Sequence, residues 1–201
     1  MFPKAHAAAY VMMAWRIAYC KVNYPLAYYS AYFTIRATAF DYEKMCLGPE
    51  RLNHEMEEYR KKAGIKINDV NVGPDNSDNA SGDDENAPSN KDEAQYKDMR
   101  LVQEMYARGF EFMPIDIFRA DAKNFQIIDG KIMPSLMSIS GVAESAATGI
   151  VEACKQGPFT SKADFKNRSK VNDTVMQTMY NLGLLGSLPE NNQISLFDNF
   201  G

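Results

Sequence analysis

The chain has 201 residues, enough for one domain or two small ones, and a formal charge of −4 from 22 Lys and Arg against 26 Asp and Glu. Taken whole, that balance speaks against a nucleic-acid binder, whose footprint is usually basic. Three cysteines far apart in sequence, with no C-x-x-C pair, argue against a disulfide framework and a structural zinc site and for reduced, cytoplasmic thiols.

From the N-terminus, residues 5–24 read as a helix, with Tyr10, Met13, Ala14 and Ile17 at the spacing of one face. Lys4, His6, Arg16 and Lys21 interrupt the run, and a membrane span needs about 20 apolar residues, so a buried helix is expected. Pro25 suits the first turn of a second helix, Leu26 to about Arg36, whose Tyr28, Tyr29, Tyr32 and Phe33 are expected in a core. Asp41 can cap a short turn closed by Gly48-Pro49, and a third helix should run from Pro49 to Ala63 with Gly64 beyond its end.

Residues 68–98 hold nine acids and two bases and contain no Leu, Ile, Phe, Met or Trp. So little apolar surface does not offset chain ordering, and an acidic disordered insert is expected. Without it, the rest of the chain carries a net charge of +3. The insert sets the sign of the whole.

Order should return near Glu93 in a helix to Arg108, ended by Gly109. Two β-type runs follow, Glu111–Phe118 and Asn124–Ile128, and Asp129-Gly130 is a two-residue hairpin signal pairing Phe125–Ile128 with Lys131–Met133. A helix Glu144–Lys155 is broken by Gly157-Pro158, and Ser161 and Asn172 are N-cap candidates for two further short helices, the last ended by Gly183. The fold class is therefore mainly α with a small β element. The expected parts are a helical piece over 1–67, the insert over 68–98, a connecting helix and β element over 99–133, a hairpin unit over 134–188 and a tail over 189–201.

Three constellations bear on function. Lys4 and His6 stand where the first helix begins, so two potential cations join exposed amides at a positive dipole end; an anion site and a merely solvated helix start are both open. Ile139-Ser140-Gly141-Val142-Ala143, with Ala147, Ile150 and Val151 beyond, has the pattern of a helix-hairpin-helix turn, whose bare amides can approach a phosphate. Lys155, Lys162, Lys166, Arg168 and Lys170 follow against the single acid Asp164, a basic run that suits phosphates or an ordinary solvated face. In the tail, Gln193, Ile194, Ser195, Leu196 and Phe197 look like a short linear anchor, either for a partner or for their own domain. Walker, G-x-S-x-G and H-E-x-x-H motifs are absent, and Asp116 stands alone in its apolar run, so the residues offer no catalytic centre.

The stretch from Met1 to Tyr19, M-F-P-K-A-H-A-A-A-Y-V-M-M-A-W-R-I-A-Y, resembles the fingers region of the PolC-type DNA polymerase III alpha subunit family. Ile139–Val151 is similar to that family's helix-hairpin-helix element, and Gln193-Ile194-Ser195-Leu196-Phe197 to its Q-x-x-L-F clamp peptide, in the same order. The resemblance implies the C-terminal piece of a replicative DNA-directed DNA polymerase: a fingers remnant, a duplex-binding unit and a sliding-clamp anchor, without the palm aspartates. It implies Lys4 and His6 near the incoming deoxynucleoside triphosphate, and duplex DNA at Ser140, Gly141, Val142, Ala143 and the five bases. It further implies the beta-subunit clamp and other replisome subunits as partners, magnesium only in the full-length enzyme, and a cytoplasmic, nucleoid-associated location. Ser140 and Ala143 stand where the hairpin usually has Pro and a second Gly, and Ala takes positive φ less readily than Gly. The other readings are a non-enzymatic DNA- and clamp-binding module and a membrane-associated protein anchored by residues 5–24.

Overall fold

A computed structural model describes residues 3–62, 89–186 and 188–190, and they divide into two compact units. The first comprises Met1–Phe112 with Ile127–Ile132, the second Met113–Gln126 with Met133–Gly201.

In the first unit, α1 spans Lys4–Asn23 and α2 Pro25–Ile35. Tyr24 stands between them off the helical region, as the residue before a proline must, and Pro25 opens α2, where its missing N–H costs nothing. The expected buried face of α1 is not found: none of its residues is buried, and Tyr10, Met13 and Ile17 are exposed along with Val11, Met12, Trp15, Tyr19 and Val22. Helical spacing finds a face only when polar residues occupy the other one, and α1 is apolar on all sides. No helix among the described residues is long and apolar enough to cross a membrane.

Two of the four aromatic residues of α2 enter a core, while Tyr28 and Tyr32 are only half-buried. Tyr29 and Phe33 are buried, and the Phe33 ring lies 5.1 Å from Phe40 and 5.5 Å from Phe112. Asp41 caps α3 (Tyr42–Met45) by accepting from the Lys44 amide at 3.2 Å. Leu52 and Met56 of α4 (Pro49–Lys62), four residues apart, are buried together with Met99, Val102 and Met105 of α5 (Asn90–Ala107), and these two helices pack on each other.

α5 begins earlier than expected, inside the stretch assigned to the acidic insert. Ser89 and Asp92 form a reciprocal capping box, so two donors at the helix start are satisfied locally without apolar burial. Tyr96 then stacks on Tyr59 at 4.4 Å, doing the work expected of an aliphatic residue. Residues 68–88 of the insert and the Gly64 stop lie outside the described residues. The expected separation of 99–133 as a connector also differs from the observed division, because α5 is part of the first unit's core.

Asp98 of α5 is only 3% exposed and binds the backbone amide of Ala39 at 3.2 Å. Burial raises its carboxyl from the ordinary 3.8 to about 6, against the opposing pull of the Ala39 and Thr38 amides. At the other end of α5, Glu104 accepts from Lys21 at 2.7 Å and from the Tyr29 hydroxyl at 3.1 Å, and Arg108 donates to the Lys21 carbonyl at 3.1 Å. This polar knot ties the last turn of α1 to α5.

The hairpin is as the sequence predicts: β1 (Gln126–Ile128) pairs with β2 (Lys131–Met133) across Asp129 and Gly130, whose φ values of 51° and 76° are both positive as a type I′ turn requires. The expected strand Glu111–Phe118 does not form. Only Phe112 bridges to Ile132, Pro114 offers no N–H, and Asp116 bends the chain by accepting from the Phe118 amide at 3.0 Å.

In the second unit a 3-10 turn (Leu136–Ser138) leads to α6 (Glu144–Lys155), α7 (Lys162–Ser169) and α8 (Asp173–Asn181). Ser161 and Asn172 cap α7 and α8 as the sequence predicts, accepting from the amides of Asp164 at 3.1 Å and Val175 at 2.8 Å. Ala147, Ile150 and Ala153 bury one stripe of α6, and α6 meets α7 at Gly149, where a Cβ would lie 2.5 Å from the Ser169 carbonyl oxygen.

Two outcomes test this account. Gly149→Ala should destabilise the chain by about 1–3 kcal/mol, because the obstacle is backbone that cannot swing aside; an unchanged urea midpoint would contradict the close approach. For Asp98 the folded carboxyl titrates above the unfolded one, so its contribution to stability is full below about pH 3.8 and is lost as pH rises to about 6. The melting temperature of Asp98→Asn relative to the parent should therefore climb between pH 4 and pH 7, and parallel curves would contradict it.

Candidate nucleic-acid interface

The turn before α6 is built by two buried anchors. Ile139 and Val142 face the core, and the Val142 amide closes back on the Ile139 carbonyl at 3.1 Å. Ser140 and Gly141 are pushed outward between them, and Gly141 at φ +82° takes the turn position that favours glycine. Ala143 is the N-cap of α6 at φ −76°, ψ 162°, an extended conformation open to any residue, so the absence of a second glycine there strains nothing. Its side chain caps no amide, which leaves the positive end of α6 facing outward. Glu144, which sequence reasoning did not single out, sits in that first turn and shares the dipole end with any arriving anion.

The five bases do not form one patch. Lys155 is exposed in the last turn of α6, about 16 Å from the hairpin by helical rise. Lys170 is exposed at φ +56° in the left-handed cap that ends α7, next to the Ser169 carbonyl against which Gly149 packs. Neither has an ion pair among the described residues. Lys166 is paired with Asp173, and Lys162 is nearly buried with its ammonium on the Glu190 carboxylate.

Arg168 is turned inward. Its guanidinium donates to the carbonyls of Ala153, Gly157 (2.8 Å) and Pro158 (3.0 Å), pairs with Asp164 at 3.2 Å, and lies 4.5 Å over the Phe159 ring. It thus gathers carbonyls from the end of α6 and the Gly157-Pro158 break, joining the Gln156 amide on that of Ala153. Asp164 is held below the usual carboxylate range, chiefly by the Thr160 amide and further by Arg168. An arginine whose two terminal nitrogens are both engaged by carbonyls and a carboxylate is a poor phosphate ligand. The structure thus engages Arg168 and Lys162 in contacts within the unit; the Asp164 partner of Arg168 stands at i,i+4 spacing, whereas the carbonyls and Glu190 are contacts that spacing does not reveal.

Lys4 and His6 lie exposed in the first turn of α1, the His6 ring edge-on to Tyr10 at 4.5 Å. The anchor residues Gln193, Ile194, Ser195, Leu196 and Phe197 lie outside the described residues. No three His, Cys, Asp or Glu side chains converge among the described residues as a metal site would require. Burial lifts the Cys154 thiol to about 11, and its S–H donates to the Ile117 carbonyl at 3.2 Å.

Residues 109–194 match the helix-hairpin-helix motif family. Over 198 residues the chain is 41% identical to the PolC-type DNA polymerase III of Streptococcus suis (strain 98HAH33), covering 98% of this chain and 12% of that protein. It is 40% identical over 201 residues to the PolC-type DNA polymerase III of Streptococcus mutans serotype c, covering 100% of this chain and 12% of the relative. The corresponding figures for the Streptococcus pneumoniae D39 protein are 39% over 198 residues, 98% and 12%. The chain thus spans about an eighth of the curated relatives it matches.

With Arg168 as a structural clamp, Arg168→Ala should cost about 1–3 kcal/mol in urea unfolding, since part-buried carbonyls lose charged donors. Lys170→Ala should stay within about 0.5 kcal/mol. Equal effects would return Arg168 to the surface.

Proposed function

Matched along its whole length to one stretch of PolC-type DNA polymerase III, the chain belongs with that family, and we propose that it supplies the polymerase's duplex grip, part of its nucleotide contact and its clamp anchor. The observation that supports this best is the hairpin: exposed Ser140 and Gly141 between buried anchors, followed by an uncapped helix start. Backbone amides presented this way read phosphate without reading sequence, as a replicative enzyme must. Lys170, and at the far end of α6 Lys155, add cations free to meet further phosphates along a duplex.

The fingers contribution rests on α1. Lys4 and His6 are exposed beside a helix start whose amides and dipole favour a triphosphate. The anchor role rests on Gln193-Ile194-Ser195-Leu196-Phe197, with an apolar pair to fill a pocket on the sliding clamp and a glutamine to fix its register. Nucleotidyl transfer itself is the work of the whole polymerase, in the cytoplasm at the nucleoid. Its two magnesium ions need converging carboxylates, and no three His, Cys, Asp or Glu side chains come together among the described residues of this chain.

Duplex binding by the full chain should weaken steeply as salt rises, because phosphate neutralisation releases counterions. Each of Lys155→Ala and Lys170→Ala should lower the slope of log K against log salt by about 0.9. Fluorescence anisotropy on a duplex of arbitrary sequence measures this; a flat salt response would remove the duplex reading.

A further inference from the structure

The root of the tail is held in a way the duplex grip does not require. α7 begins with three amides in need of acceptors, and Ser161 takes only that of Asp164. The other two are met by chain that arrives from beyond α8: the Lys162 amide donates to the Pro189 carbonyl at 2.9 Å and the Ala163 amide to the Glu190 carbonyl at 3.2 Å. The Lys162 ammonium then closes on the Glu190 carboxylate while lying 3.6 Å over the ring of Tyr180 in α8. Its stem is nearly buried whereas Glu190 remains exposed, so the lysine is a fixed post and the glutamate the part that comes to it. The bond to Glu190 also holds the Lys162 ammonium above its ordinary pKa, so the post keeps its charge well beyond neutral pH.

We propose that this latch is a positioning device for the clamp anchor, with Lys162 as its positioning residue: it fixes where residues 193–197 leave the hairpin unit. The proposal rests on the reading of those residues as a clamp peptide. Only Asn191 and Asn192 separate Glu190 from Gln193, so the latched tether reaches at most about 11 Å. With the latch open, the tether starts near Gly186 and counts seven steps to Gln193 instead of three. Effective concentration falls roughly as the −3/2 power of tether length, so opening should weaken simultaneous grip on clamp and duplex about fourfold. Neither single contact should change.

The test uses the full chain with three probes: a bacterial sliding-clamp ring alone, a duplex alone, and the ring threaded on that duplex. Glu190→Gln alters an exposed side chain and Lys162→Met keeps the buried stem, so neither threatens the fold. Both should speed hydrogen exchange at the Lys162 and Ala163 amides, leave binding to ring and to duplex within twofold, and weaken binding to the ring on duplex about fourfold. Lys162→Arg, which keeps a cation between Glu190 and Tyr180, should restore it. A merely structural role would not separate the combined probe from the single ones. Unchanged amide exchange in both variants, or faster exchange with undiminished binding to the ring on duplex, would overturn the latch. Leu196→Ala with Phe197→Ala should abolish binding to the ring alone; if it does not, the clamp reading itself fails.

Discussion

α6 can lie against the end of α7 only because position 149 carries no side chain, and the second unit is arranged around that approach. With Gly149 on the Ser169 carbonyl, the middle of α6 meets the end of α7 beside the left-handed cap at Lys170. At the other end of α6, Arg168 reaches back along α7 to gather the carbonyls of Ala153, Gly157 and Pro158. One backbone approach and one guanidinium therefore define the α6–α7 corner, and the start of α7 is left to receive Pro189 and Glu190.

The first unit is organised by different physics. Its centre is aromatic and sulfur-rich, with Phe33, Phe112, Met45, Met56, Met99 and Met105 buried together with Leu52 and Val102. Such side chains fill an irregular space between helices at little cost in specificity. α1 contributes nothing to that centre; only its last turn is tied down, by the knot of Lys21, Glu104, Tyr29 and Arg108. Charge tells a similar story of local over global. The net −4 comes from one acidic stretch, and the bases that count for phosphate are decided one by one by whether an acid or a carbonyl already holds them.

Much of this architecture was legible in the sequence wherever the signal is local. Asp129-Gly130, the caps Ser161 and Asn172, Asp41 before its short helix and Gly141 in its turn each report a backbone conformation that few other residues allow or an amide within three residues. The start of α5 was misplaced because its capping box satisfied the helix without apolar residues. The strand expected over Glu111–Phe118 failed on Pro114 and on the bend at Asp116, both visible locally but outweighed by alternating apolar residues.

The sequence by itself determined most of the helix positions, the turn chemistry and the likeness to PolC-type DNA polymerase III, because these depend on residues close along the chain or on their order. Only the tertiary structure decided which bases are free. Lys162 and Arg168 read as members of one basic run with Lys155 and Lys170, yet their heads are taken by Glu190, Asp164 and a set of carbonyls. The Lys162 acceptor, Glu190, is 28 residues away, and the Arg168 carbonyls come from the end of α6 and the turn after it, 10 to 15 residues back. A cation's availability is fixed by what lies within about 4 Å of it, and that distance is set by packing, not by spacing along the chain.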